Sequence, residues 1–155
     1  MRTNLRNIIL LVITTTVMIS CNDDENIQNF NFSGDWKVIS FIDLKTSEKT
    51  KKTEENTWSQ FNNGDNTISF TTSDSTKGIV SGKNVTNGFY GEYTTDSNGK
   101  ISITNVTWTE INEPEWGKLF RSISNAESYE IKNNILTIFY NNKMKCITLE
   151  KISNE

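Results

Sequence analysis

Ser128-Tyr129-Glu130-Ile131-Lys132-Asn133-Asn134-Ile135-Leu136-Thr137-Ile138-Phe139-Tyr140-Asn141-Asn142-Lys143-Met144-Lys145-Cys146-Ile147-Thr148-Leu149-Glu150-Lys151 is three short β-rich runs punctuated by two Asn pairs. β-branched and aromatic side chains suit a pleated, half-buried surface. Asn tolerates φ > 0 better than most residues, so Asn133-Asn134 and Asn141-Asn142 predict tight hairpin turns. The stretch therefore predicts three antiparallel strands over Ser128 to Lys132, Ile135 to Tyr140 and Lys143 to Lys151.

The segment before it has a different period. Trp116, Leu119, Phe120 and Ile123 stand at i, i+3, i+4 and i+7, one apolar stripe of a helix that packs onto the sheet. Asn112 is the candidate N-cap, with Glu115 three residues on to return the contact. Pro114 belongs only in a first helical turn, which sets the start nearby.

Upstream the β pattern resumes. Trp36, Val38, Ile42 and Leu44 share one face of a strand, with Ile39 and Phe41 on the other. Residues 45–66 read as a polar loop with short strands, broken by Trp58 and Phe61. Thr67 to Thr72, Ile79 to Val85, Phe89 to Thr94 and Ile101 to Val106 follow, with turn signals at Thr86-Asn87-Gly88 and Asp96-Ser97-Asn98-Gly99. The expected fold is mainly β (α+β): an antiparallel, partly open β-barrel of about seven strands, with one α-helix inserted before the last hairpin. Curling removes exposed strand edges.

The first 20 residues carry an address. Arg2 and Arg6 precede an apolar run from Ile8 to Ile19, and small Ser20 precedes Cys21. The run is about a dozen residues, short of the roughly 20 a spanning helix needs. Val17-Met18-Ile19-Ser20-Cys21 resembles a bacterial lipoprotein signal, which implies removal of residues 1–20 and lipidation of Cys21. Several acyl chains on one residue anchor firmly, since each buried CH₂ contributes about 0.8 kcal/mol. Residues 21–31 then form an acidic, polar tether. Its Asp23-Asp24-Glu25 run resembles the surface-export signal of Bacteroidetes lipoproteins. The expected location is the outer membrane, facing either the surface or the periplasm.

Composition removes chemistry. The chain has no histidine, so Ser–His–Asp and Cys–His nucleophile systems and His-ligated metal sites are excluded. There is no P-loop and no GxGxxG after a strand, and no cofactor or metal is expected. Glu92, Glu110, Glu113 and Glu115 are the candidates for a carboxylate-pair hydrolase, but no spacing selects a pair, and surface or capping roles are expected. Lys plus Arg number 16 against 19 Asp plus Glu, net −3; without Arg2 and Arg6 they number 14 against 19, net −5. No basic stripe suggests nucleic acid. Lys49, Lys51 and Lys52 are followed by Glu54 and Glu55, a solvated loop. With Cys21 lipidated, Cys146 has no partner for a disulfide and is expected to be a buried, inert core residue.

From Phe32 to Lys151 the chain resembles the META domain, the HslJ-type heat-shock lipoprotein family. Phe32-Ser33-Gly34-Asp35-Trp36-Lys37-Val38 resembles its opening G-x-W strand. Ile68-Ser69-Phe70, Ser81-Gly82-Lys83-Asn84, Gly88-Phe89-Tyr90-Gly91-Glu92-Tyr93, Ile101-Ser102-Ile103 and the closing Ser128 to Ile138 hairpin follow in family order. Lys83 stands where the family often has cysteine, and none follows Asn105 to Glu110, so a disulfide of relatives is lost. The resemblance implies a domain over 32–152 with no assigned catalysis, linked to envelope stress. Carried over, Gly34 and Trp36 would seat the barrel floor and Gly82 would allow a backbone bend. Asn84 would satisfy buried backbone groups, and Tyr93 would be core with its hydroxyl at the edge.

The expected function is a non-enzymatic, membrane-anchored binding or accessory domain whose partner is an envelope protein or component. The alternative is a lipocalin-like carrier of a small apolar ligand, since Gly34-Asp35-Trp36 also resembles the lipocalin G-x-W strand. An open apolar cavity would favour the carrier. An interior filled by Trp36, Phe70, Phe120 and Leu136 would oppose it.

Overall fold

The computed structural model describes residues 33–153. The strands are β1 (Gly34–Asp43), β2 (Glu48–Thr50), β3 (Thr67–Thr72), β4 (Lys77–Lys83), β5 (Gly88–Thr95), β6 (Ile101–Trp108), β7 (Ala126–Lys132), β8 (Ile135–Tyr140) and β9 (Lys145–Lys151). One helix, α1 (Glu115–Phe120), lies between β6 and β7. The sheet order is β6-β5-β4-β3-β1-β9-β8-β7, with β2 beside β1, and the pairings are antiparallel. The wall thus has eight strands against the expected seven or so, and α1 precedes the three strands that the two Asn pairs predict.

The sheet curls until its edges β6 and β7 meet at one end. A bridge joins Lys100 to Ser128, and the Tyr129 N–H donates to the Gly99 carbonyl at 2.8 Å. Farther along, the 3-10 turn Arg121–Asn125 packs against β6 and β8. The result is a partly open, antiparallel barrel.

The Asn turns form as their chemistry dictates. Asn133 and Asn134 have φ of 49° and 63°, and Asn141 and Asn142 both have 56°. Lys143 is also left-handed, at 59°, so the second turn is longer than its Asn pair and β9 starts at Lys145.

β1 departs from simple alternation. A register shift between Val38 and Ser40 inserts a bulge against β9. An extra residue reverses which face the following side chains take. Phe41 therefore joins Trp36 and Val38 in the core, while Ile42 leaves it. A run of apolar residues on both sides of the bulge hid this from the sequence pattern.

α1 buries Trp116 and Phe120, and Ile123 completes the stripe from the 3-10 turn. The N-cap is Pro114, without a side-chain cap bond, so Asn112 does not cap the helix. The helix closes the barrel end where β1 and β4 finish and β3 and β5 begin. Phe41 meets the Trp116 ring edge-on, with centroids 4.9 Å apart. Residues 51–66 strap this end: the Asn56 carbonyl accepts from Trp116 N–H at 2.8 Å, and the Asn66 carbonyl from Val38 N–H at 2.9 Å.

The interior is packed. Trp36, Phe70, Phe120 and Leu136 are each at most 1% exposed. Two cross-strand pairs put an aromatic ring over a glycine: Gly78 opposite Tyr93 and Gly82 opposite Phe89. Cys146 is buried and free. None of the described helices is long and apolar enough to cross a membrane.

Candidate functional site

Two polar arrangements stand out. The first seats α1. Asn66 and Asn84, both fully buried, donate their amides to successive carbonyls, Trp116 at 2.9 Å and Gly117 at 3.2 Å. Glu113, 4% exposed, accepts at Oε1 from the Thr86 N–H at 2.7 Å, and at Oε2 from the Thr86 hydroxyl at 2.7 Å and the Asn87 amide. Asn87 Oδ1 in turn accepts from Ile111 N–H at 2.7 Å and the Thr109 hydroxyl at 3.0 Å. The carboxylate thus ties the β4–β5 turn to the approach of the helix. It also explains Gly117, since a Cβ there would lie 2.3 Å from Glu113 Oε1.

The second is on the outer face. Strand register places Asp35, Ser69, Ser81, Tyr90 and Thr107 in one row across β1, β3, β4, β5 and β6. Each side chain points away from the core because its strand neighbours Trp36, Ile68, Phe70, Val80 and Phe89 are buried. Thr67 and Lys83 pair in the next row. Between the taller residues a groove of about 390 Å³ opens, lined by Asp35, Thr67, Ser69, Ser81, Lys83 and Ile152 beside the backbone of Ile68 and Gly82. Ile152 is held there by its N–H, which donates to the Asp35 carbonyl at 2.9 Å.

Among the groove's polar groups the Thr67 hydroxyl donates to the Lys83 carbonyl at 3.4 Å, while the side chains of Asp35, Ser69, Ser81 and Lys83 have no side-chain partner among the described residues. Other outward side chains nearby are paired: Lys37 bridges Glu150 at 3.1 Å, and Asn105 donates to Glu92 at 3.0 Å.

The residues singled out from sequence are dispersed. Cys21, the signal at 1–20 and the tether at 21–31 lie outside the described residues. Gly34 opens β1 at φ +114°, with the Lys151 side chain against it. Lys151 places its ammonium 5.1 Å above the Trp36 ring, at the barrel end opposite α1. Asn84 sits under the helix. Tyr93 is buried between Phe70 and Gly78, its hydroxyl 3.3 Å from that of Thr72. Gly82 makes no left-handed bend. Its role is space: a Cβ would stand 2.4 Å from the Phe89 ring and 2.3 Å from the Thr67 carbonyl.

The four glutamates also have separate settings. Glu92 is exposed beside Asn105, Glu110 faces Arg121 at 3.6 Å, and Glu115 is exposed in the first turn of α1. Glu113 is neither a surface group nor a helix cap, because the Thr86 and Asn87 donors enclose it. The groove contains one carboxylate, Asp35. Among the described residues no three His, Cys, Asp or Glu side chains gather as metal ligands. No site role was legible for Asn66, Asn87, Ser69 or Ser81: Asn87 reads only as a turn residue, the distant partners of the Asn66 and Asn87 amides come from segment 109–116, and the two serines meet only across strands.

Fold and surface together define a helix-capped, partly open antiparallel barrel domain with a packed interior. No family model matches the chain, and no curated protein matches it either. Among solved structures it is similar to a DUF4847 family protein from Bacteroides vulgatus ATCC 8482, with a TM-score of 0.55 and 17% identity, covering 79% of this chain and 95% of that one. At that identity the likeness shows the fold alone.

Proposed function

We propose that this protein is an envelope lipoprotein, anchored through Cys21 at the outer membrane, whose barrel is a non-enzymatic META-like binding or accessory domain. The packed interior carries this reading. A carrier needs an empty apolar cup, whereas Trp36, Phe70, Phe120 and Leu136 fill this one. Binding then falls to the outside of the barrel. The single late helix across a partly open barrel supports the META-like assignment. The dispersed glutamates and the absence of histidine favour binding over catalysis.

The described domain starts at Ser33, 12 residues beyond Cys21. Fully extended, those residues reach about 40 Å. That length lets the barrel stand clear of the lipid headgroups. Palmitate labelling of wild type against Cys21→Ser tests the anchor: labelling is lost in the variant, and equal labelling overturns the reading. Protease shaving of intact cells assigns the face. Native mass spectrometry of the envelope-purified protein tests the alternative, since a co-purified apolar ligand would restore the carrier.

A further inference from the structure

We propose that the outer-face groove between Asp35 and Lys83, with Tyr90 at its edge, binds a sugar unit of a glycan. Adjacent strands lie about 4.8 Å apart, so β1 and β5 stand about 14 Å apart with β3 and β4 as the floor between them. Ser69, Ser81 and Thr67 form that floor. Short side chains there leave room, and their hydroxyls both donate and accept. Asp35 adds an acceptor on one wall and Lys83 a donor on the β4 side.

Tyr90, on β5 beside the lining residue Ser81, offers an aromatic ring at the edge of the groove. It is 54% exposed and stands opposite Ser81. A sugar presents C–H groups on the faces of its ring and hydroxyls around its edge. The tyrosine ring suits the first, and the Ser, Asp and Lys groups suit the second. Ile152 gives a second apolar contact at the far side.

Other ligand classes fit less well. An apolar molecule would leave the Ser69 and Ser81 hydroxyls and Asp35 without partners, which is costly. A nucleic acid needs several cations, and the groove has Lys83 alone. An extended peptide pairs with a free strand edge, and β3 and β4 are paired on both sides. The cavity lies within the roughly 300–1,000 Å³ of small-ligand sites.

This assignment deepens the binding-domain reading but does not need the anchor, so the two fail separately. The test uses the ¹⁵N-labelled chain beyond residue 21, which holds the whole described barrel. Maltotriose, cellotriose and chitotriose are titrated separately to about 10 mM, enough to detect millimolar affinity. At least one should shift the amides of Ser69, Ser81, Lys83 and Tyr90 and leave those of Ile138 and Leu149 unmoved. The responding arm separates a neutral glucan from an N-acetylated amino sugar. Tyr90→Ala should weaken binding about tenfold, the value of one lost aromatic contact, with unchanged Tm. Ser81→Leu should block the groove. The proposal is overturned if none of the three sugars moves the groove amides. It is also overturned if binding survives both substitutions at wild-type affinity.

Discussion

Gly82→Ala measures how tightly the barrel closes over its glycines. The new methyl would stand 2.4 Å and 2.8 Å from Phe89 ring atoms and 2.3 Å from the Thr67 carbonyl. The ring cannot swing away freely. It stacks on Trp108 at 4.5 Å and meets Phe120 edge-on at 5.7 Å. Overpacking of this kind costs about 1–3 kcal/mol. Restricting the unfolded chain returns about 0.4–1 kcal/mol. The net loss is about 1–2 kcal/mol, equivalent to a Tm lower by about 4–8 °C in a domain of this size. Differential scanning calorimetry reads it directly. Gly88→Ala is the control, because its methyl would meet only the Gly82 carbonyl at 3.7 Å, and it should leave Tm unchanged or slightly raised. Phe89→Leu in the Gly82→Ala background should recover part of the loss, with a coupling of about 1 kcal/mol. A Gly82→Ala protein as stable as wild type would refute the argument, since a glycine kept only for flexibility predicts that result.

Glu113→Ala should cost about 3 kcal/mol, because it strands the Thr86 and Asn87 donors in a buried site; urea unfolding checks this, and a loss under about 1 kcal/mol would contradict the buried tie. Cys146 is 2% exposed, and burial pushes its thiol pKa up. It should react with iodoacetamide far more slowly in the folded protein than in urea, and similar rates would show that it is accessible. The Lys100 N–H, with that of Asn98, holds the Asp96 carboxyl below the usual carboxylate range. Its contribution is present above the unfolded pKa of about 3.9 and is lost as pH falls through the lower folded value. Asp96→Asn should therefore flatten the fall in Tm on acidification below about pH 4, and an unchanged acid limb would discount the turn.

Local chemistry was legible where neighbours in sequence are neighbours in space. Asn133-Asn134 and Asn141-Asn142 announced their turns because left-handed φ is a property of the residue itself. Trp116, Phe120 and Ile123 announced a buried stripe because helical spacing is a local period. The β1 bulge was not legible. Ile39, Phe41 and Ile42 are all apolar, so only pairing with β9 decides which of them faces inward. Asn112 looked like the cap of α1 because its spacing to Glu115 was right, but Pro114 took that place. Gly82 was legible as special, though not for its reason, since Phe89 reaches it from another strand.

The groove marks the same division. Asp35, Ser69, Ser81 and, at its edge, Tyr90 sit in four separate segments, each an ordinary outward residue of an alternating strand. By itself the sequence determined the class of fold, through turn chemistry, β-rich runs and one helical stripe. It also excluded histidine-dependent catalysis, because an absent side chain has no substitute. Tertiary structure alone decided where the barrel closes, that its interior is full, and which outward residues meet. Those outcomes depend on register across strands far apart in sequence, and a one-residue slip would send every side chain to the other face.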